Sequence, residues 1–428
     1  MTPLNHDDFQ ERSVWRNRHF LCLWGATAIS QLGTQITFLG LPILAVTTLN
    51  ATPLETSVLA MLGWVPMVVL GFVAGAIVDR SKRQPLLIWC DIARALILIT
   101  IPVVYMSGWL SIWYLYVVVL LSGVFTTFFD TAYQAWVPTL VPPKQLVAAN
   151  SGLEVAQSGT RIVGPSLAGA LITLLTAPIA IILDALSYLI SALFLFGIRH
   201  QEARSDITAS KPQQPRSLGM EIKEGLTYFW RQPLLRSILG CTMLMSVGWA
   251  LVEGILLFYI IRTLGLDAGL TGLIFSAGNV GLLIAATLTG RFVRHWGLGP
   301  TLSVALILHA VGILLMALAP LAPLPLIIAG YLVRALGVVA YNISQLTIRQ
   351  SITPPSMLGR VTATARVIAW ASIPSGLLIG GLLATSIGLQ PTVWAGAMLS
   401  FLALLPLAFG GVWRVRSLPP LSTGELES

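Results

Sequence analysis

Apolar residues run through this chain in long unbroken stretches, and polar residues collect in the short gaps between them. The stretches cover roughly 20–48, 54–78, 86–106, 110–132, 150–174, 177–197, 234–262, 270–292, 299–319, 324–347, 361–385 and 391–412. Each is long enough to cross hydrocarbon about 30 Å thick as a helix, which takes about 20 residues. The gaps carry Pro, Gly or charge, as at Pro53, Gly108, Pro142-Pro143, Pro320 and Pro354-Pro355, where helices end. A membrane barrel would read as alternating segments of about ten residues, and none occurs. Lipid gives the backbone no hydrogen-bond partners, so the pattern predicts an all-α integral membrane protein with twelve spans.

Composition agrees. Of 428 residues, 56% are hydrophobic and 10% charged, against about 25% charged in a soluble domain. The net charge of +8 would suggest nucleic acid if it were clustered, but its placement is a topology signal. With the N-terminus in the cytoplasm, 19 of the 25 basic residues fall on that side; only Arg262 lies outside, and Arg94, Arg161, Arg236, Arg334 and Arg366 fall in or at the ends of spans. An even number of spans then puts both termini inside, with no role for nucleic acid. Residues 1–18 are polar and predict no cleavable leader. Cys22, Cys90 and Cys241 are far apart in apolar runs, so neither a disulfide framework nor a metal site is expected.

The chain is also duplicated. Arg16, Gly25, Gly33 and Gly75 recur at one constant interval as Arg231, Gly240, Gly248 and Gly290. Pro142-Pro143, Gly164 and Gly169 recur at a second, slightly shorter interval as Pro354-Pro355, Gly376 and Gly381. The longest polar interruption separates the copies. This predicts a six-helix bundle at 1–197, a cytoplasmic linker at 198–233 and a second six-helix bundle at 234–428. Within the linker, Ile222, Leu226, Phe229 and Trp230 share a helical face over 220–232, the pattern of an amphipathic helix on the membrane surface. Two copies with an even number of spans point the same way, so they are related by a pseudo-twofold axis along the membrane normal, with a site at their interface.

After the second span comes Gly75-Ala-Ile-Val-Asp79-Arg80-Ser-Lys82-Arg83. This resembles the G-x-x-x-D-R-x-x-R loop motif of the major facilitator superfamily, and the resemblance covers essentially the whole chain. Gly75 suits close helix contact, Asp79 suits a helix N-terminus, and Arg80 and Arg83 suit carboxylates at the rim. In the second copy Arg294 replaces the Asp, so that copy is not expected to latch. Gly164-Pro165-Ser-Leu-Ala168-Gly169 is similar to the superfamily's antiporter signature and implies export. Phe129 to Pro138, Leu146 to Asn150 and Glu224 to Tyr228 together resemble the branch of enterobactin exporters and macrolide efflux proteins. The resemblance implies a monomer without cofactor that moves a small amphipathic substrate, a drug, macrolide-like compound or siderophore, against protons.

Ionisable groups at mid-bilayer cost at least about 2.5–3.5 kcal/mol and so mark function. By the resemblance, the first, fourth, seventh and tenth spans line the cavity. Glu253 and Arg334 are therefore the expected coupling pair, since a carboxyl that binds either a proton or a cationic substrate couples the two. Glu154 and Arg161, seven residues apart on one helical face, stand behind them. Asp130 is expected at the gate, paired with Arg83. Asp91 and Arg94, at i and i+3, read as a self-neutralising pair, and Asp184 as a buried hydrogen-bonded acid. Uptake by proton symport is the closest rival. A membrane-embedded enzyme would want clustered His or acids, and only five His are scattered along the chain. An ATP-driven pump would want a phosphate loop, which is absent. A receptor would want a larger polar domain. A lipid flippase of the same fold stays open.

Overall fold

The computed structural model describes residues 14–142, 145–198, 226–228 and 230–414. Among the described residues, twelve helices are long and apolar enough to cross a membrane, and there is no strand. The first half comprises α1 (Arg18–Thr47), α2 (Pro53–Asp79), α3 (Arg83–Met106), α4 (Ile112–Leu140), α5 (Leu146–Leu175) and α6 (Ala177–Phe196). The second comprises α7 (Pro233–Phe258), α8 (Ala268–Trp296), α9 (Leu298–Ala317), α10 (Pro323–Ile352), α11 (Pro355–Ile387) and α12 (Leu389–Leu402). The linker expected at 198–233 lies largely outside the described residues. Its end is helical at 226–228 and 230–231, and the Tyr228 hydroxyl donates to the Ile352 carbonyl at 3.1 Å.

Local chemistry sets the helix ends. Thr52 and Glu55 form a capping box with Pro53 in the first turn of α2, which satisfies orphan amides. The Asn17 and Asp267 side chains accept backbone N–H groups at the starts of α1 and α8. Several helices outrun their apolar stretch: α4 reaches Leu140 and α11 starts at Pro355. Apolarity marks the lipid crossing, while backbone hydrogen bonds carry the helix on into polar sequence. The last run divides instead: α12 stops at Leu402 and a short helix resumes at Leu404–Phe409. Pro406 has no N–H to bond the carbonyl four residues back.

In the first bundle α1 packs on α5 and α6, and α3 on α4 and α6; in the second, α7 packs on α11 and α12, and α9 on α10 and α12. The duplication is visible atom by atom at the glycines. Gly25 abuts Phe194 and Gly240 abuts Pro406; Gly33 abuts Ser187 and Gly248 abuts Ser400; Gly164 abuts Gln35 and Gly376 abuts Val247 and Ala250. Each partner is displaced along the chain by nearly the same interval as the glycine it touches. Small residues let helix backbones approach at these crossings.

The bundles meet in two further twinned seams. Gly169 of α5 faces Ala268 and Gly272 of α8, and Gly381 of α11 faces Leu54 and Ser57 of α2. Both seams lie toward the distal face, opposite the terminal face where α1 begins and α2 ends. The core divides accordingly. One distal cluster draws buried residues from both halves, among them Leu39, Leu44, Ile255 and Tyr259. Toward the terminal face the clusters separate. Phe20, Leu23 and Trp136 belong to one, and Cys241, Leu302 and Tyr341 to another. The two bundles are joined at the distal face and parted at the terminal face.

Candidate functional site

Between the parted bundles lies a cavity of about 970 Å³. Its walls mix aromatic rings (Phe38, Trp64, Phe275, Trp370) with hydroxyls of α1 and α4 (Thr34, Thr37, Thr127, Thr131), and three charged side chains reach it: Asp130, Glu253 and Arg366. Such a greasy wall with few polar groups suits an amphipathic small molecule.

Glu253 stands at the blind end of the cavity. The next residue, Gly254, packs on Ser57 and Leu377 where the bundles touch. Arg334 does not line the cavity and makes no ion pair with Glu253, which corrects the expected direct pairing. Trp249, one turn before Glu253, lies against Arg334, whose guanidinium is 3.6 Å from its ring centroid. Tyr331 is a second ring, 5.1 Å from that guanidinium.

The first bundle treats its buried charge differently. Arg94 is 4% exposed and Asp91 fully buried, and they form the one ion pair between described residues. Asp91 also accepts from the Ser191 hydroxyl at 2.7 Å. Arg94 lies between the rings of Phe129 and Tyr188, 4.3 and 4.2 Å from their centroids. Asp184 is buried and accepts from Thr37 and Ser187, as a structural acid should. Asp130 projects into the cavity and forms no ion pair with Arg83, which corrects the expected pairing.

Glu154 opens instead onto a smaller pocket of about 400 Å³, shared with Gln31, Tyr133 and Gln157. Arg161 lines neither space; its backbone carbonyl accepts from Asn279 of α8. Asp79 and Arg80 are exposed, without an ion-pair partner among the described residues, and an added methyl on Gly75 would meet nothing within 4 Å. The close contact expected of Gly75 is not made while the terminal face is parted. Pro165 lies inside α5, which continues through it, and its carbonyl faces Gly272. Next to it, the Ser166 amide and hydroxyl contact the Ser276 hydroxyl at 3.0 and 2.7 Å. The antiporter-like segment therefore forms one distal seam.

Sequence reasoning missed Trp64 and Phe275 in the cavity wall and Arg366 as a cavity charge. A cavity-facing ring and a lipid-facing ring look alike in an apolar run. The rim-ward position of Arg366 in its span gave no sign that it opens inward.

A model of the transmembrane secretion effector family matches residues 12–417. The chain belongs to this family of the major facilitator superfamily. Relatives include the multidrug efflux pump Tap of Mycolicibacterium fortuitum, 29% identical over 89% of this chain and 90% of that protein. Macrolide efflux protein A of Streptococcus pyogenes is 25% identical over 87% and 90%. Among solved structures, nucleoside transporter NupG superposes with a TM-score of 0.71 at 11% identity, over 92% of this chain and 99% of that one; at that identity the likeness speaks to fold. This major facilitator protein is a multi-pass membrane transporter, not an enzyme, with two six-helix bundles.

Proposed function

We propose that the protein exports a small amphipathic molecule, a drug, macrolide-like compound or siderophore, from the cytoplasm in exchange for protons. The observation that carries this reading is the cavity itself. It is closed at the distal face by twinned helix seams, open toward the terminal face, and lined by aromatic rings with a carboxyl at its blind end. The efflux relatives favour the outward direction. The surplus of basic residues on the terminal side favours a cytoplasmic terminal face, both termini included, in a bacterial-type cytoplasmic membrane. Transport then proceeds by rocking the bundles at 1–197 and 234–428, joined by the linker at 198–233, so that the cavity opens to each side in turn. A single chain suffices.

Glu253 is the coupling group in this reading. It borders the contact that must part when the distal face opens, so its carboxyl meets each side in alternation. Arg334 acts on it from beside Trp249, and Glu154 and Arg161 occupy the neighbouring wall and seam. Gly75, Asp79, Arg80 and Arg83 form the latch that engages when the terminal face shuts.

Everted membrane vesicles with an acid interior test the reading, using ethidium as the amphipathic probe. Ethidium should accumulate inside while protons leave. Protons moving with ethidium would mean symport and overturn export. Glu253→Gln should flatten the pH dependence of the rate; an unaltered profile removes Glu253 from coupling.

A further inference from the structure

We propose that the smaller pocket beside Glu154 is a subsite for a hydroxyl-rich ring, a glycosyl group, carried by the exported amphipathic molecule. The inference rests on the export reading above, in which the apolar part of that molecule fills the aromatic cavity.

The pocket lies between α1, α4 and α5, and its polar lining is Gln31, Tyr133, Gln134, Asn150, Glu154 and Gln157. Asn150, Glu154 and Gln157 fall at i, i+4 and i+7, so one face of α5 stays polar for two turns. Polar side chains at such places in a span turn toward protein or a water-filled space, not lipid. Among the described residues, only one of the five lining amide and carboxyl side chains is engaged by another side chain: Gln31 Oε1 accepts from the Thr160 hydroxyl at 3.2 Å.

The duplication shows that helix packing does not demand this set. At the interval that matches Pro142-Pro143 to Pro354-Pro355, the second copy has Leu346, Thr362, Arg366 and Ala369 where the first has Gln134, Asn150, Glu154 and Gln157. The glycine crossings are alike in both bundles, yet the amides occur in one.

The kind of polar group selects the ligand. A carboxamide both donates and accepts hydrogen bonds, and four carboxamides stand around one carboxylate here. An ammonium group offers donors only and would leave the amide N–H groups unanswered, whereas ring hydroxyls offer donors and acceptors together. At about 400 Å³ the pocket is near the lower end of ligand sites, and it takes one ring rather than a whole drug-sized molecule.

Position joins the pocket to the main cavity. Gln134 lines both spaces. It lies six residues from the terminal end of α4, and Gln157 lies eleven from that of α5. At about 1.5 Å per residue they sit about 9 Å and 16–17 Å deep. Glu253 lies twenty residues into α7, about 30 Å deep by the same rise. A molecule with its ring in the side pocket thus has room for its apolar part in the aromatic cavity, between the opening and the coupling carboxyl.

The test measures fluorescence binding to the full chain in nanodiscs, with empty nanodiscs subtracted. The probes are methylumbelliferyl β-glucoside and the methyl ether of the same coumarin, which differ in the glycosyl group alone. Wild type should bind the glucoside about tenfold more tightly, the scale of one or two net hydrogen bonds. Gln134→Leu and Gln157→Leu should each bring the glucoside down to the affinity of the methyl ether, and unchanged binding of the methyl ether shows that the variants fold. Equal binding of the two probes by wild type overturns the subsite, as does a preference for the glucoside that survives both substitutions. If the aminoethyl ether of the coumarin binds more tightly than the glucoside and Glu154→Gln erases that gain, the pocket holds a cation and the glycosyl assignment falls. If neither the glucoside nor the methyl ether binds above empty nanodiscs, the aromatic-cavity reading falls and the subsite with it.

Discussion

Each bundle holds an arginine within the membrane, and the two bundles accommodate it by opposite means. In the first, Arg94 is paired with Asp91, whose other oxygen takes a hydroxyl from Ser191, and two rings enclose the guanidinium. In the second, Arg334 has no carboxylate in contact, though both arginines bury an Nε that lacks a hydrogen-bond partner. It rests on Trp249, one turn before Glu253. The first arrangement is closed on itself and suits a fixed scaffold. The second leaves charge incompletely answered beside the blind end of the cavity.

The sharpest way to break this comparison is to remove each arginine. Arg94→Leu strands Asp91 in the bundle interior. Removing one partner of a buried pair destabilises by about 3–5 kcal/mol, so the purified protein should unfold at a clearly lower temperature in detergent. Arg334→Leu removes chiefly a cation–ring contact, worth about 2 kcal/mol when desolvated, and should cost less stability than Arg94→Leu while disturbing transport. Equal losses of stability in the two variants would erase the distinction drawn here.

A smaller effect separates the two copies of the loop after the second and eighth spans. The first copy keeps Asp79 where the second has Arg294. If Asp79 docks on a helix N-terminus when the terminal face shuts, Asp79→Asn loses a contact worth about 0.3–2 kcal/mol and slows transport a few-fold, up to about thirtyfold. Arg294→Gln should leave the rate near that of wild type. Initial rates of ethidium transport in vesicles, normalised to inserted protein, decide it; equal rates in Asp79→Asn and wild type would remove the latch.

The fold was legible in the sequence because its signals are long. A run of about 20 apolar residues fixes a span, and a nearly constant interval between matched residues fixes the duplication. The same glycines then mark equivalent crossings in each bundle. The pair Asp91 and Arg94 was legible too, since i and i+3 on one helix need no tertiary knowledge. Partners on different helices were not. Depth along separate helices points to Glu253 and Arg334 as a pair, yet depth says nothing about the ring of Trp249 that Arg334 rests on instead. For Asp130 the loop motif suggests Arg83, yet the two form no ion pair. Arg161 shares a helical face with Glu154, but at Arg161 that face turns toward the seam with α8, away from the cavity.

The smallest effect lies in the backbone, at a pair of turns that the duplication made equivalent. The chain passes from α5 to α6 through Thr176 at φ +73° and ψ 156°, and from α11 to α12 through Gly388 at φ +95° and ψ 165°. The two positions correspond in the repeat and adopt nearly the same conformation. Glycine enters that region freely, whereas a β-branched residue there is strained by about 1–3 kcal/mol. The second copy has relaxed a strain that the first retains. Thr176→Gly should therefore stabilise the protein, but by less than the whole strain, because glycine also loosens the unfolded chain by about 0.5–1 kcal/mol. A net gain of about 1 kcal/mol, read as a modest rise in the unfolding temperature, is expected. Gly388→Thr should lower it, and for reasons of torsion rather than crowding, since an added methyl at Gly388 would meet only the Pro391 ring at an ordinary 3.7 Å. If Thr176→Gly left the unfolding temperature unchanged or lowered it, the strain assigned to the first copy would be absent.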